Sequence, residues 1–108
     1  MKLLTKEIEE KLPKLYSQED KKPSEVKIVV KFFDPTGSWT WYVTEGEKQE
    51  NGDWLFFGLV DGFDKELGYF TLEQLLTAKE GCRGLQSLPI ERDIYFNTET
   101  TLKEVMDK

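Results

Sequence analysis

The pattern of hydrophobic positions between residues 26 and 70 predicts four β-strands. Four runs rich in β-branched and aromatic residues follow one another: VKIVVKFF at 26–33, WTWYVTE at 39–45, DWLFFGLV at 53–60 and KELGYF at 65–70. Such residues suit the pleated, half-buried surface of a sheet. Turn sequences separate the runs, with DPTG at 34–37, NG at 51–52 and DGFD at 61–64. Because these turns are short, the pattern predicts an antiparallel meander.

The turn lengths also predict which residues face each other across the strands. A four-residue turn at 34–37 pairs Phe32 with Trp39, and a four-residue loop at 61–64 pairs Phe56 with Tyr69. A slip of one residue would move every side chain of a strand to the other face. This register places one set of apolar residues on a common core face, namely Val26, Ile28, Val30, Phe32, Trp39, Trp41, Val43, Phe56, Val60, Leu67 and Tyr69. The other face turns apolar at the third strand, which predicts an inner strand covered on both sides.

Three capping patterns predict short helices around the meander. Thr5 is suited to begin a helix that ends near Leu12, and Thr71 and Thr101 are each followed three residues later by Gln or Glu. Alternation in IERDIYF at 90–96 predicts a fifth strand. The predicted fold class is α+β, an antiparallel four- to five-stranded β-meander with short helices packed on it. Its length of 108 residues predicts one domain over 1–108.

Composition excludes several kinds of site. The chain has a single cysteine, Cys82, and no histidine. An internal disulfide, a Cys/His zinc set and an imidazole base are therefore excluded, and no cofactor is expected. Charged residues interrupt the N-terminal sequence every few positions, so it reads neither as a signal peptide nor as a membrane span. These features predict a protein of the cytoplasm.

The net charge of −6 is concentrated in one stretch of the chain. Residues 45–66 contain seven acids and two lysines, which accounts for −5 of the total. Only two of the fifteen basic residues are arginine, the residue best suited to reading base edges and gripping phosphates. Direct binding of nucleic acid is therefore unfavoured, and a partner protein with a basic surface fits the charge better.

The acidic stretch begins beside aromatic residues that the predicted register leaves exposed. Exposed Tyr and Trp are favoured interface anchors, and nearby acids steer a basic partner. This predicts a partner-binding surface made of Tyr42, Glu45, Glu47, Glu50, Asp53 and Trp54. The same acids are also compatible with solvated turn charges that keep the sheet edge soluble, or with a metal or general-acid site.

Two further groups are candidates for substrate binding or catalysis. The trio Glu91, Arg92 and Asp93 offers an arginine between two carboxylates, but alternate strand residues point to opposite faces. A structural ion pair is the simpler reading. Cys82 lacks the base that would activate it as a nucleophile.

Several exact segments resemble one family of small bacterial proteins. The start MKLLTKEIEEKLPKLY, the segments VVKFFDPTGSWTWYVTEGE and DWLFFGLVDGFDKELGYFTLEQL, and LPIERDIYF are similar to domain-of-unknown-function family 2958. The likeness covers nearly the whole chain. The resemblance implies a protein encoded on a plasmid, an integrative element or a phage-like island. It favours accessory proteins of such mobile elements, which include conjugation helpers and inhibitors of host defence. It brings no catalytic residues to this chain.

The sequence leaves three hypotheses about function. The preferred one is a non-enzymatic accessory protein that binds a basic-surfaced protein, such as a host defence or nucleic-acid-handling enzyme, and a homodimer is compatible with it. The alternatives are a small carboxylate-based enzyme and a binder of single-stranded nucleic acid that uses exposed aromatic residues.

Overall fold

The computed structural model describes residues 1–108 and shows one antiparallel sheet of five strands with three short helices. The strands are β1 (Val30–Phe33), β2 (Thr40–Lys48), β3 (Trp54–Asp61), β4 (Lys65–Thr71) and β5 (Glu91–Arg92), and the helices are α1 (Lys6–Lys11), α2 (Leu72–Thr77) and α3 (Leu102–Met106). The strand order is β4-β3-β2-β1-β5. The predicted α+β class and meander are confirmed.

The pairing of β1 with β2 differs from the predicted register by two residues. Phe32 lies opposite Trp41 rather than Trp39. The reason is that the Asp34 N–H donates to the Trp39 carbonyl at 3.0 Å, so the turn proper starts after Asp34 and not at it. A shift of two residues keeps every side chain on its predicted face, since the side-chain period of a strand is two.

The pairing of β3 with β4 differs by one residue, and this shift changes the faces. Phe56 lies opposite Phe70, and Tyr69 lies opposite Phe57. Asp61 pairs with Lys65, which leaves three residues in the turn instead of four. The prediction that Leu67 and Tyr69 share the core face with Phe56 is therefore wrong. Phe70 occupies the core face, and Leu67 and Tyr69 point to the other side.

The segment before β1 departs from the predicted strand. Residues 26–28 pair with the C-terminal part of the chain: the Ile28 N–H donates to the Thr100 carbonyl, and the Leu102 N–H donates to the Val26 carbonyl. Val26 and Ile28 consequently pack with α3 and not with Val30. Their predicted place on the face of Val30 and Phe32 is wrong, because a non-local pairing ends the strand early.

Each face of the sheet has its own apolar core. The larger cluster, on the face covered by α1 and α2, consists of Leu3, Leu4, Val30, Phe32, Val43, Phe56, Phe70, Leu75 and Ile90. The smaller cluster, on the face covered by α3, consists of Val26, Ile28, Tyr42, Leu59, Leu102 and Val105. The prediction that the third strand is an inner strand covered on both sides is confirmed. We call these sides the first face and the second face.

The capping predictions are also confirmed. The side chains of Thr5, Thr71 and Thr101 accept from the backbone N–H three residues later, and the last two form complete capping boxes. The predicted fifth strand is shorter than expected. Only Glu91 and Arg92 pair with β1, so β5 forms a two-residue edge.

A partly buried ion pair ties the turn after β1 to the segment that follows α2. The Lys79 Nζ lies 2.8 Å from Asp34 Oδ2 and 3.1 Å from the Thr36 hydroxyl, and both charged side chains are largely covered. Burial alone would raise the pKa of Asp34. The hydrogen bonds from Lys79 and Thr36 outweigh that effect and hold the pKa below its ordinary value of 3.8. Asp34 therefore favours the folded state in its ionised form.

We expect Lys79→Met to lower the free energy of unfolding by about 1–3 kcal/mol at pH 7, since the pair is intermediate between exposed and fully buried pairs. Asp34 has a lowered pKa when folded, so its contribution is present above the unfolded pKa and is lost as the pH falls through the folded pKa. The gap between wild type and variant should therefore close in acid. Urea unfolding at pH 7 and at decreasing pH measures it.

Lys103→Met is the matched control, because its pair with Asp107 is mostly exposed. It should leave unfolding nearly unchanged at every pH. An equal loss in both variants would contradict a specific role for the Asp34–Lys79 pair.

Candidate partner-binding site

A β-bulge in β2 determines which side chains reach the second face. The register of β2 with β3 shifts between Val43 and Glu45, so Thr44 is the extra residue. Its hydroxyl donates to the Phe57 carbonyl at 3.1 Å. Without the bulge, strict alternation would place Glu45 on the same face as Val43, inside the larger apolar cluster. Bulges re-aim side chains in this way, and here Glu45 is turned to the second face.

Glu45 uses its buried carboxylate to hold the segment that follows α1. Only 5% of the residue is exposed. Its Oε1 accepts from the Tyr16 N–H at 2.9 Å, and its Oε2 accepts from the Gln18 N–H at 3.0 Å. The Gln18 side chain adds a hydrogen bond to the Thr44 carbonyl at 3.0 Å. The carboxylate has no cation partner in an ion pair, so backbone N–H groups alone satisfy it within the chain.

Tyr16 is held in an unusual backbone conformation by these bonds. Its φ of +69° lies in the left-handed region, and it is the only residue other than glycine with a positive φ. A bulky residue in that region costs roughly 1–3 kcal/mol unless its surroundings enforce it. The hydrogen bonds of Tyr16 and Gln18 to Glu45 supply that enforcement, and Tyr16 is 58% exposed beside the sheet.

An open cleft of about 340 Å³ lies between this segment and the β3–β4 hairpin. Its apolar walls include Tyr16, Phe57, Leu67 and Tyr69. The Tyr69 ring centroid lies 5.0 Å from that of Phe57 and 6.2 Å from that of Tyr16. Leu67 is 46% exposed and Tyr69 is 50% exposed. The smaller apolar cluster ends here, so these side chains form an uncovered extension of the core. We call this the hairpin cleft.

The hairpin cleft is negatively charged on one side. Glu19 and Glu45 line it together with a single lysine, Lys21. The neighbouring Tyr16 hydroxyl, burial, and the charges of Glu45 and Glu19 raise the pKa of Tyr69 to about 12. The shift adds nothing to its state near pH 7, where a tyrosine of ordinary pKa is also a neutral hydrogen-bond donor. An apolar wall with an acid, Glu19, at its rim suits a partner that presents apolar and cationic side chains together.

The structure corrects part of the predicted partner-binding surface. Tyr42 is 4% exposed and packs in the smaller cluster, with its ring 6.1 Å from Phe96. Burial, with the charges of Asp61 and Asp93, raises the pKa of its hydroxyl. The prediction that Tyr42 is an exposed anchor is wrong, because α3 covers the second face there. Glu45 is likewise buried and not a rim charge.

The other predicted site residues lie around the β2–β3 turn. Glu47 accepts from the Leu15 N–H at 3.1 Å, and Asp53 accepts from the Glu73 N–H at 3.1 Å. Trp54 is half-buried and stacks on Phe56 with centroids 6.4 Å apart. Glu50 is exposed. Most of these residues therefore hold the fold of their own chain, and their binding of a partner stays a prediction.

The residues of the hairpin cleft were missed for an identifiable reason. The predicted register assigned Leu67 and Tyr69 to the core face because it was one residue out of step. The segment of Tyr16 contains no strand or helix pattern. A signal was present in the lengths of the turns: a three-residue loop after Asp61 also fits the sequence, and it moves both side chains to the second face.

Other chemical candidates are not gathered in one place. No three acidic or thiol side chains are grouped as metal ligands would be. Asp93 forms an ion pair with Lys31, and Arg92 has none, so the expected ion pair of Arg92 is not found. Cys82 is an exposed free thiol. None of the helices has the length and apolar character needed to cross a bilayer.

Comparison with known proteins places the chain in a family. No curated protein and no solved structure matches it. A family described as protein of unknown function (DUF2958) matches residues 3–108, which is essentially the full length. The chain therefore belongs to this family, as the resemblance of its segments had indicated.

Proposed function

We propose that this chain is a non-enzymatic accessory protein of a bacterial mobile element, and that it acts in the cytoplasm by binding a protein with a basic surface. A host defence enzyme or another nucleic-acid-handling protein is a suitable partner, because such proteins carry basic surfaces for their substrates. The proposed binding site is the hairpin cleft, in place of the turn predicted from sequence.

The observation that carries this proposal is that three large side chains are exposed together around the hairpin cleft. Tyr16, Leu67 and Tyr69 lie around the cleft, each about half exposed. Single exposed apolar residues are common, but a contiguous concave patch with two tyrosines is characteristic of binding surfaces. The chain also keeps Tyr16 in a costly conformation, which is unusual for a segment with only a structural role.

The charge of the surroundings supports a cationic partner. The chain carries −6, and Glu19 lines the cleft. Acids at the rim of an interface act mainly on the rate of association, whereas a desolvated aromatic anchor acts mainly on the rate of dissociation. The two contributions can therefore be measured separately.

The experiment begins with a photo-crosslinking amino acid placed at Tyr69 and, as control, at Tyr95, which is 90% exposed and lies outside the cleft. Both proteins are expressed in a bacterial host, and the crosslinked partner is identified. A partner captured from position 69 and not from position 95 is then purified, and its binding kinetics are measured against variants.

We expect Tyr69→Ala to speed dissociation of that partner about 30-fold, the effect of a hot spot of roughly 2 kcal/mol. Tyr95→Ala should leave it unchanged. Glu19→Lys should slow association and weaken its salt dependence, whereas the reversal of an exposed acid elsewhere, Glu80→Lys, should do neither. Equal kinetics for Tyr69→Ala and wild type, with unchanged melting, would overturn the proposed site.

A further inference from the structure

The outer edge of the sheet at β4 has backbone groups that no part of the chain pairs. Gly62 donates its N–H to the Asp64 carbonyl, and Thr71 donates its N–H to the Gln74 side chain instead of to β3. Hydrogen-bonded and non-bonded pairs alternate along an antiparallel ladder. Both observations place Lys65, Leu67 and Tyr69 at the non-hydrogen-bonded positions of the β3–β4 ladder. Their N–H and C=O groups therefore point away from β3.

This edge also lacks the usual protection against pairing with another strand. Natural edge strands are short, or carry a proline, a bulge or charged side chains. In β4 the charged residues, Lys65 and Glu66, stand at one end only. The opposite edge of this sheet follows that rule, since β5 has two residues. The edge strand β4 has seven residues in unbroken register with β3, and its centre reads Leu67-Gly68-Tyr69. The position of Gly68 is open, with no atom within 4 Å of where a Cβ would lie.

We propose that β4 pairs antiparallel with β4 of a second copy of this chain, about a two-fold axis at Gly68. The two five-stranded sheets then join into one of ten. The proposal goes beyond the proposed function and does not depend on it, but both use Leu67 and Tyr69, so a second copy and a partner protein compete for these side chains.

The register about Gly68 is self-complementary in backbone and side chains. Leu67 of each copy lies opposite Tyr69 of the other, and both have outward-pointing backbone groups. Each such pair exchanges both of its N–H···O bonds. The half-exposed Leu67 and Tyr69 side chains meet on the second face, where cross-strand aliphatic and aromatic pairs are favourable. An isologous contact of this kind closes a dimer and leaves no free β4 edge.

The charges of the strand do not oppose a second copy as the occupant. Lys65 and Glu66 lie at the same end of β4, so antiparallel pairing places them at opposite ends of the contact. Glu66 lies opposite Phe70 of the other copy. The two Glu66 residues are then four residues apart along the strand direction, about 14 Å, which exceeds the screening length of about 8 Å at physiological salt. This pairing therefore places no like charges against each other at the centre of the contact between the two copies.

The first test is the mass of the protein in solution. Sedimentation velocity from low-micromolar to millimolar concentration should show a monomer becoming a dimer. Leu67→Pro removes one outward N–H at a position where an edge strand tolerates proline, and it should keep the protein monomeric with an unchanged circular dichroism spectrum. Leu67→Ala keeps that N–H and should still dimerise, though less tightly.

The second test reads the register and does not depend on the proline variant folding. In a Cys82→Ser background, Gly68→Cys places two thiols directly opposite each other at the axis, within the Cα separation of about 4.4–6.8 Å that a disulfide requires. Mild oxidation should give a covalent dimer. The control Glu66→Cys lies opposite Phe70 and should form no covalent dimer. A wild-type monomer at every concentration would overturn the proposal, and so would equal crosslinking of both cysteine variants. Either result would leave the free β4 edge to a strand from a different protein.

Discussion

Gly58→Ala is expected to lower the free energy of unfolding by about 3 kcal/mol or more, at or above the upper end for overpacked positions. A Cβ at this position would lie 1.8 Å from the Tyr42 carbonyl oxygen and 2.8 Å from its carbonyl carbon. These are backbone atoms of the adjacent strand, and no side-chain rotation relieves the contact. The two central strands would have to move apart beside the bulge. Urea unfolding measures the loss.

The matched control is the glycine directly across the ladder. Gly68 pairs with Gly58, and a Cβ there meets nothing within 4 Å. Gly68→Ala should be neutral or stabilising by up to about 1 kcal/mol, because alanine loses less backbone entropy on folding. If both variants lost the same stability, the close approach of β2 to β3 at Gly58 would not be the cause.

The close approach at Gly58 could be predicted from the sequence, whereas its cause could not. A glycine inside an aromatic strand indicates that another group comes near. The group is the Tyr42 carbonyl, and it comes near because β2 bulges at Thr44. No residue type marks a bulge of this kind, since Thr and Glu are ordinary strand residues. The bulge is stabilised by the hydrogen bonds that Thr44 and Glu45 form with residues distant in the sequence.

The approximate positions of the four meander strands and the helix caps depend on neighbouring residues, and they were predicted well. Thr5, Thr71 and Thr101 cap their helices through bonds over three residues. The register of a hairpin changes when its turn is one residue longer or shorter. Local sequence preferences determine the length of a turn poorly. That one residue moved Tyr69 from the predicted core to the hairpin cleft. The candidate site was therefore hidden by a small error with a large geometric effect.

The buried position of Glu45 leads to the second large effect. We expect Glu45→Ala to lower the free energy of unfolding by about 2–4 kcal/mol, because hydrogen bonds to a charged group contribute about 1.5–3 kcal/mol each and two of them share this carboxylate. The N–H groups of Tyr16 and Gln18 would lose their acceptors. Tyr16 would then be free to leave its left-handed conformation, and one wall of the hairpin cleft would be lost.

Amide hydrogen exchange distinguishes this local effect from a general loss of stability. In Glu45→Ala, the Tyr16 and Gln18 amides should exchange far faster than those in the centre of β3, which global unfolding alone cannot produce. The control Glu50→Ala removes an exposed acid in the turn that follows β2. It should change neither the exchange of these amides nor the free energy of unfolding. Glu45→Gln keeps the size and one acceptor, so its exchange should be intermediate. Unchanged protection of Tyr16 in Glu45→Ala would mean that the bulge does not hold the cleft, and that the conformation of Tyr16 has another origin.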